Sequence, residues 1–201
     1  MQKKIMVLLS IGILLLAIVL SGCVSEKKTS LVHVNVLGLT IEDLPKGYVK
    51  LMENYSDNPP STQYGIKPLE AYDVVFIYDD VEQLESALFK FGSVDDAKKY
   101  MDTVINDTVV NNISITYFYN AIPIDPIEEI GDESQGFLYV SKFPREDGKN
   151  VTYAFVFFRL NSYVFNLGIN GFAEKDYMSF AVGLAKIVEG KIESSMIQKQ
   201  E

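Results

Sequence analysis

Three apolar stretches of strand length, Phe137 to Phe143, Val151 to Leu160 and Tyr163 to Ile169, follow one another with only turn residues between them. The turns fall at Asp147 and Gly148, then at Asn161 and Ser162. Strands joined so tightly pair antiparallel, because a parallel return needs a crossover of a dozen or more residues. A C-terminal β-meander is therefore expected. Directly after it, Tyr177, Phe180, Ala181, Leu184, Ile187 and Val188 recur with helical period, which predicts a long helix whose apolar stripe lies on a sheet.

Upstream, Tyr72 to Tyr78 and Ser86 to Phe91 read as strands, as does the alternation of Ile113, Ile115, Tyr117 and Tyr119, ended by Pro123 and Pro126. Val32, Val34 and Val36 alternate in strand fashion at the start of the folded part. Ser93 followed by Asp96 has the form of a helix N-cap with an acid in the first turn. That helix is expected to run to Val109 with Ala97, Met101, Val104 and Ile105 facing inward. The expected class is α+β, an antiparallel sheet of five to seven strands packed by two principal helices.

The N-terminal end carries an address. Lys3 and Lys4 precede a nearly unbroken apolar run from Ile5 to Leu20, about 16 residues against the roughly 20 that a spanning helix needs. Positive charge keeps that end in the cytoplasm and sends the rest outward. The quartet Leu20, Ser21, Gly22, Cys23 resembles the prokaryotic lipobox, in which the cysteine thiol is alkylated by lipid and the signal is cut just before it. Cys23 is the one cysteine of the chain, and a thiolate is the nucleophile such a thioether requires. The resulting plan is a lipoprotein signal peptide over 1–22, a lipid-anchored tether over 23–30, one globular domain over 31–195 and a disordered tail over 196–201. The localisation expected is the extracytoplasmic face of the cell membrane, attached through lipid at Cys23.

Charge and composition narrow the functional classes. The formal net charge is -9, and loss of Lys3 and Lys4 with the signal makes the remainder more acidic still. Such a surface repels nucleic acid, so no nucleic-acid partner is expected. With Cys23 lipidated there is no cysteine for a disulfide. The single histidine, His33, reads as a strand residue and leaves no His/Cys zinc cluster or histidine-dependent triad. No cofactor is expected.

Candidate site residues follow from residue chemistry. Tyr117, Tyr119, Tyr153 and Tyr163 are placed to wall a cleft for an apolar or sugar-like ligand, or to fill the core. Arg159, one of two arginines, suits either a carboxylate ligand or an internal acid. The acids Asp79, Asp80 and Glu82, and Glu128, Glu129, Asp132 and Glu133, cluster in turns. Of these Asp79, Asp80, Asp132 and Glu133 are the weak calcium candidates, lacking the alternating spacing of a calcium loop, so no metal is expected. Asn54, Asn106, Asn112 and Asn150 each open an Asn-x-Ser/Thr acceptor sequence for N-glycosylation, with helical Asn106 the poorest.

From Gly131, Asp132, Glu133 and Ser134, through the hairpin carrying Arg159 and Asn161, to the last helix, the order resembles the PsbP-like group of exported domains. The chain is also similar to small prokaryotic, including archaeal, lipoproteins of unknown function. The resemblance implies binding or assembly and hands over no catalytic residues. The leading expectation is a membrane-anchored extracytoplasmic binding or accessory module, contacting a protein or a small ligand at the cell surface. The rival is a hydrolase or carbohydrate-active enzyme using carboxylates such as Asp132 and Glu133 with a further acid. A transporter's substrate receptor would need two lobes, and the length suits one domain.

Overall fold

The computed structural model describes residues 32–79, 82–107, 119–124, 130–141, 148–172 and 175–198, with backbone alone for 119–124. Seven strands, β1 (Val49–Ser56), β2 (Glu70–Tyr78), β3 (Glu82–Lys90), β4 (Tyr119–Ile124), β5 (Glu133–Ser141), β6 (Val151–Leu160) and β7 (Tyr163–Phe172), form one sheet in the order β1-β2-β3-β7-β6-β5-β4. All neighbouring pairs are antiparallel. The helices are the single turn α1 (Val34–Leu37), α2 (Val94–Asn106) and α3 (Tyr177–Ile197), with a 3-10 turn at Ile41–Asp43. This is the α+β class expected, its sheet at the upper end of the expected size. Two meanders, β1-β2-β3 and β4-β5-β6-β7, are joined where β3 pairs with β7 from Gln83↔Asn170 to Lys90↔Tyr163.

Because side chains alternate along a strand, each strand writes two faces. In β7, Tyr163, Phe165, Leu167 and Ile169 point one way and are buried. Val164, Asn166, Gly168 and Asn170 point the other. On the first face the core gathers Tyr72, Val74, Phe76, Leu84, Leu88, Val156 and Phe158 with those of β7, beneath Ala181, Leu184, Ala185, Val188 and Ile192 of α3. Val34, Leu37 and Leu39 complete that cover. The second face is covered in part. There α2 lays Ala97, Tyr100, Met101 and Val104 on Phe91, Phe137, Tyr139, Phe157 and Val164. Ser93 caps α2 by accepting from the Asp96 amide at 3.1 Å, the role its spacing predicts.

Four local expectations are corrected. Val32 to Val36 do not form a strand: Val34 and Leu37, three apart, are the buried pair of α1, and Val36 is 62% exposed. The Val34 amide instead donates to the Glu70 carboxylate at 3.1 Å. Strand β1 has no counterpart in the sequence reading, because it is an exposed edge without apolar alternation. Its pairing is interrupted between Lys50 and Met52, a bulge of the kind that protects edges. β4 runs through Pro123, which an edge strand tolerates because one side of its ladder is unpaired. Finally, α3 continues through Met196 and Ile197, past the expected start of the tail, because Met196 packs on the core.

Two glutamates are buried on the covered face, and each meets a cation. Glu70, 5% exposed, receives Lys90 at 3.0 Å, and the ring nitrogen Nδ1 of His33 lies 3.2 Å from it. Burial pushes the Glu70 carboxyl up, but Lys90 and the Val34 amide outweigh it and hold the group below its ordinary value of 4.5. A depressed acid contributes stability above its unfolded value and loses it as pH falls through the folded one. Replacing Lys90 with Met strands the carboxylate in the core, and urea denaturation should show a loss of about 3–5 kcal/mol. Adding Glu70→Leu to that variant should recover most of it, since a buried pair is replaceable by apolar packing.

Candidate functional site

On the partly covered face one row of residues crosses six strands. The registers align Asn54 with Asp73, Asp73 with Ala87, Ala87 with Asn166, Asn166 with Phe157 and Phe157 with Gln135. Polar groups in the middle of a sheet are costly unless paired, yet Asp73, Asn166 and Gln135 stand here beside aromatic rings. Ala87 and Gly168 are small, and they leave the centre of the row hollow. Gly168 has no room for more, because a Cβ there would stand 3.0 Å from the Phe155 ring.

The hollow is a cleft of about 480 Å³ lined by Met52, Asn54, Asp73, Val75, Glu85, Ala87, Phe155, Phe157, Asn166 and Gly168. A second concavity of about 560 Å³ adjoins it, sharing Asn54 and Asp73, and is walled by Pro59, Pro60, Tyr64, Phe89 and Tyr100. Both volumes fall in the range of about 300–1,000 Å³ typical of small-ligand sites. The wall of the first is mainly apolar. Asp73 is half-buried in it, and the Asn54 amide donates to its Oδ2 at 3.5 Å. Burial pushes the Asp73 carboxyl above its ordinary value, and the Asn54 contact offsets this only in part. Asn166 Oδ1 is buried without a hydrogen-bond partner. The Tyr100 hydroxyl beside it is pushed up to about 12 by burial. Such a site binds and orients; among the described residues it holds neither a nucleophile paired with a base nor a metal-ligand set.

A different cluster lies at the far end of the covered face. Glu82 accepts from the hydroxyls of Tyr48 and Tyr177 and from Lys175 Nζ at 2.6 Å. Lys175 also sits 4.8 Å from the centre of the Tyr78 ring, a cation–π contact. Burial, then Glu82 itself, pushes both tyrosine hydroxyls well up. Gly171 permits this arrangement, since a Cβ there would fall 2.0 Å from the Tyr177 hydroxyl. The adjoining cavity is about 270 Å³, and its acid is already satisfied by the chain.

No family model matches the chain, and no curated protein matches it. Among solved structures its fold is similar to the extracellular domain of PknH from Mycobacterium tuberculosis. The TM-score is 0.53 at 9% identity, over 80% of this chain and 94% of that one. The likeness is one of fold. Among the described residues no helix is long and apolar enough to cross a membrane.

The residues singled out from the sequence scatter. Cys23, Asp80, Asn112, Tyr117, Glu128 and Glu129 lie outside the described residues, and Tyr119 is placed only by its backbone, opposite Ser141 in β4. Tyr153 stacks on Phe155 on the cleft's face of β6. Tyr163 does not share that wall: its position in β7 sends it to the covered face, where it is 4% exposed. Arg159 is taken up by the protein itself, donating to Asp132 at 2.8 Å and Glu133 at 3.5 Å. Those two acids, the pair that the hydrolase reading named, are thereby engaged with a guanidinium. Asp79 occupies an exposed turn with φ 53°. Of the acceptor asparagines, Asn54 lies on β1 at the cleft, Asn106 ends α2, and Asn150 is exposed just before β6.

Asp73 and Asn166 went unremarked in the sequence, though a signal exists. Asp73 is a lone acid inside Ala71 to Tyr78, and Asn166, Gly168 and Asn170 alternate within an apolar strand. The folded Asp73 holds its proton above the unfolded value of 3.8, so its contribution is best below that value and worsens as pH rises through the folded one. Asp73→Asn should therefore raise stability at neutral pH by ~1 kcal/mol in urea denaturation, with no gain at strongly acid pH. A variant less stable than the parent at neutral pH would contradict this account.

Proposed function

We propose that this chain is an extracytoplasmic binding module, tethered to the cell membrane by lipid on Cys23, that offers the cleft on its partly covered sheet face to a small ligand. The observation that carries the proposal is the row Asn54, Asp73, Ala87 and Asn166: Asp73 and Asn166 set polar groups on either side of a small alanine at the hollow centre of a sheet, where folding alone favours apolar residues, and Asn54 reaches Asp73 from the edge strand. Natural proteins accept such a loss of stability at sites that contact something else. The signal-like N-terminus, the lipobox resemblance and the fold likeness to an extracellular domain support the placement outside the membrane. The resemblance to exported PsbP-like domains and small lipoproteins supports binding over catalysis.

Two experiments test the two halves of the reading. Cys23→Ser should abolish incorporation of labelled lipid and leave residues 1–22 uncut in a prokaryotic host, and mass spectrometry of the parent should find a diacylglyceryl-type adduct on Cys23. For the cleft, a fragment screen by NMR should place its hits on the amides of Asn54, Asp73, Asn166 and Phe157. Ala87→Phe, which fills the hollow, should abolish those hits while the fold persists. Hits that gather elsewhere and survive Ala87→Phe would overturn the assignment.

A further inference from the structure

We infer that the cleft takes organic ammonium compounds: a charged primary or secondary amine on an apolar body, its nitrogen received by Asp73. The inference rests on the reading of the cleft as a binding site and names its ligand class. It begins from how this sheet treats its other acids. Glu70 holds Lys90 at 3.0 Å, Glu82 holds Lys175 at 2.6 Å, and the Asp132–Glu133 pair holds Arg159 at 2.8 and 3.5 Å. Asp73 departs from this pattern, as does the exposed Glu85 at the same cleft, which accepts from Gln83. Among the described residues no cation reaches Asp73, and its partner is a long amide contact from Asn54.

The surroundings select the same chemistry. Among the described residues no lysine or arginine lines either concavity, so an anionic ligand would meet a carboxylate with none of them to offset it. Asp73 and Asn166 are separated by one strand, β3, hence by two strand spacings or about 9.6 Å of backbone. A donor placed over Ala87 stands between the Asp73 carboxylate and the Asn166 side chain, both of which line the cleft. Phe155, Phe157 and Val75 supply apolar wall beside that point, where a hydrocarbon body gains from burial. The chain's net charge of -9 attracts cations to the surface before contact.

Three probes of nearly one shape decide the matter: 2-phenylethylammonium, 2-phenylethanol and 3-phenylpropionate, each titrated calorimetrically into the full chain in nanodiscs. The ammonium should bind about tenfold or more tighter than the alcohol, as a charge-assisted hydrogen bond requires, and the carboxylate should not bind. Asp73→Asn should remove the preference, so that ammonium and alcohol bind that variant with about equal affinity. Since that variant is expected to be more stable than the parent, unfolding does not explain a loss. If alcohol and ammonium bind alike, are indifferent to Asp73→Asn and are both lost in Ala87→Phe, the cleft reading stands and the ammonium inference fails. If no probe gives saturable binding that Ala87→Phe removes, both fail.

Discussion

The antiparallel seam between β3 and β7 holds the molecule together. It joins residues about eighty positions apart in sequence, and without it the two meanders are separate ribbons, each with an uncovered edge. The seam also sets where the cleft falls. Ala87 comes from the first meander and Asn166 from the second, and they face each other across the join. Neither half owns the site. A seam of such sequence separation is closed late and slowly in folding, because the entropy of a long loop is spent before its contacts form.

The treatment of charge follows from which face an acid occupies. Beneath α1 and α3 water is excluded, so Glu70 and Glu82 are tolerable only with Lys90, Lys175 and several hydrogen-bond donors around them. On the other face α2 stops short of the centre of the sheet, and Asp73 keeps enough contact with water to survive with a single amide neighbour. Burial pushes its carboxyl toward the neutral form, and the Asn54 contact opposes this in part. A group held in that state responds strongly to whatever arrives beside it.

How much of this was legible depended on burial. The meander, α2 and α3 each bury one side, so their periods of two and about 3.6 stand out in the sequence, and so does the cap at Ser93. β1 buries almost nothing, and Val49 to Ser56 therefore carries no pattern to read. α1 is too short for a period, and the alternation of Val32, Val34 and Val36 imitates a strand until Val36 is seen at the surface. Arg159 already had an internal acid as one of its two readings, and the geometry gives it Asp132 and Glu133. The cleft escaped notice because attention to aromatic residues favours the walls of a site, whereas its chemistry sits in the few polar residues between them. Tyr163 was grouped with Tyr153 although their strands send them to opposite sides, an assignment that only register can make.

The interleaving of two faces along each strand has a consequence for how this domain can diversify. In β7 the side chains that build the covered core, Tyr163, Phe165, Leu167 and Ile169, alternate with Asn166 and Gly168, which face the cleft. The same separation holds in β2 and β3, where Asp73 and Ala87 lie between core neighbours. Ligand preference and architecture are thus written in alternate letters of one text. Asn54, Asp73 and Asn166 can therefore change with less disturbance to the covered core than their neighbours along the strands, while Phe157 serves both the cleft and the packing beneath α2.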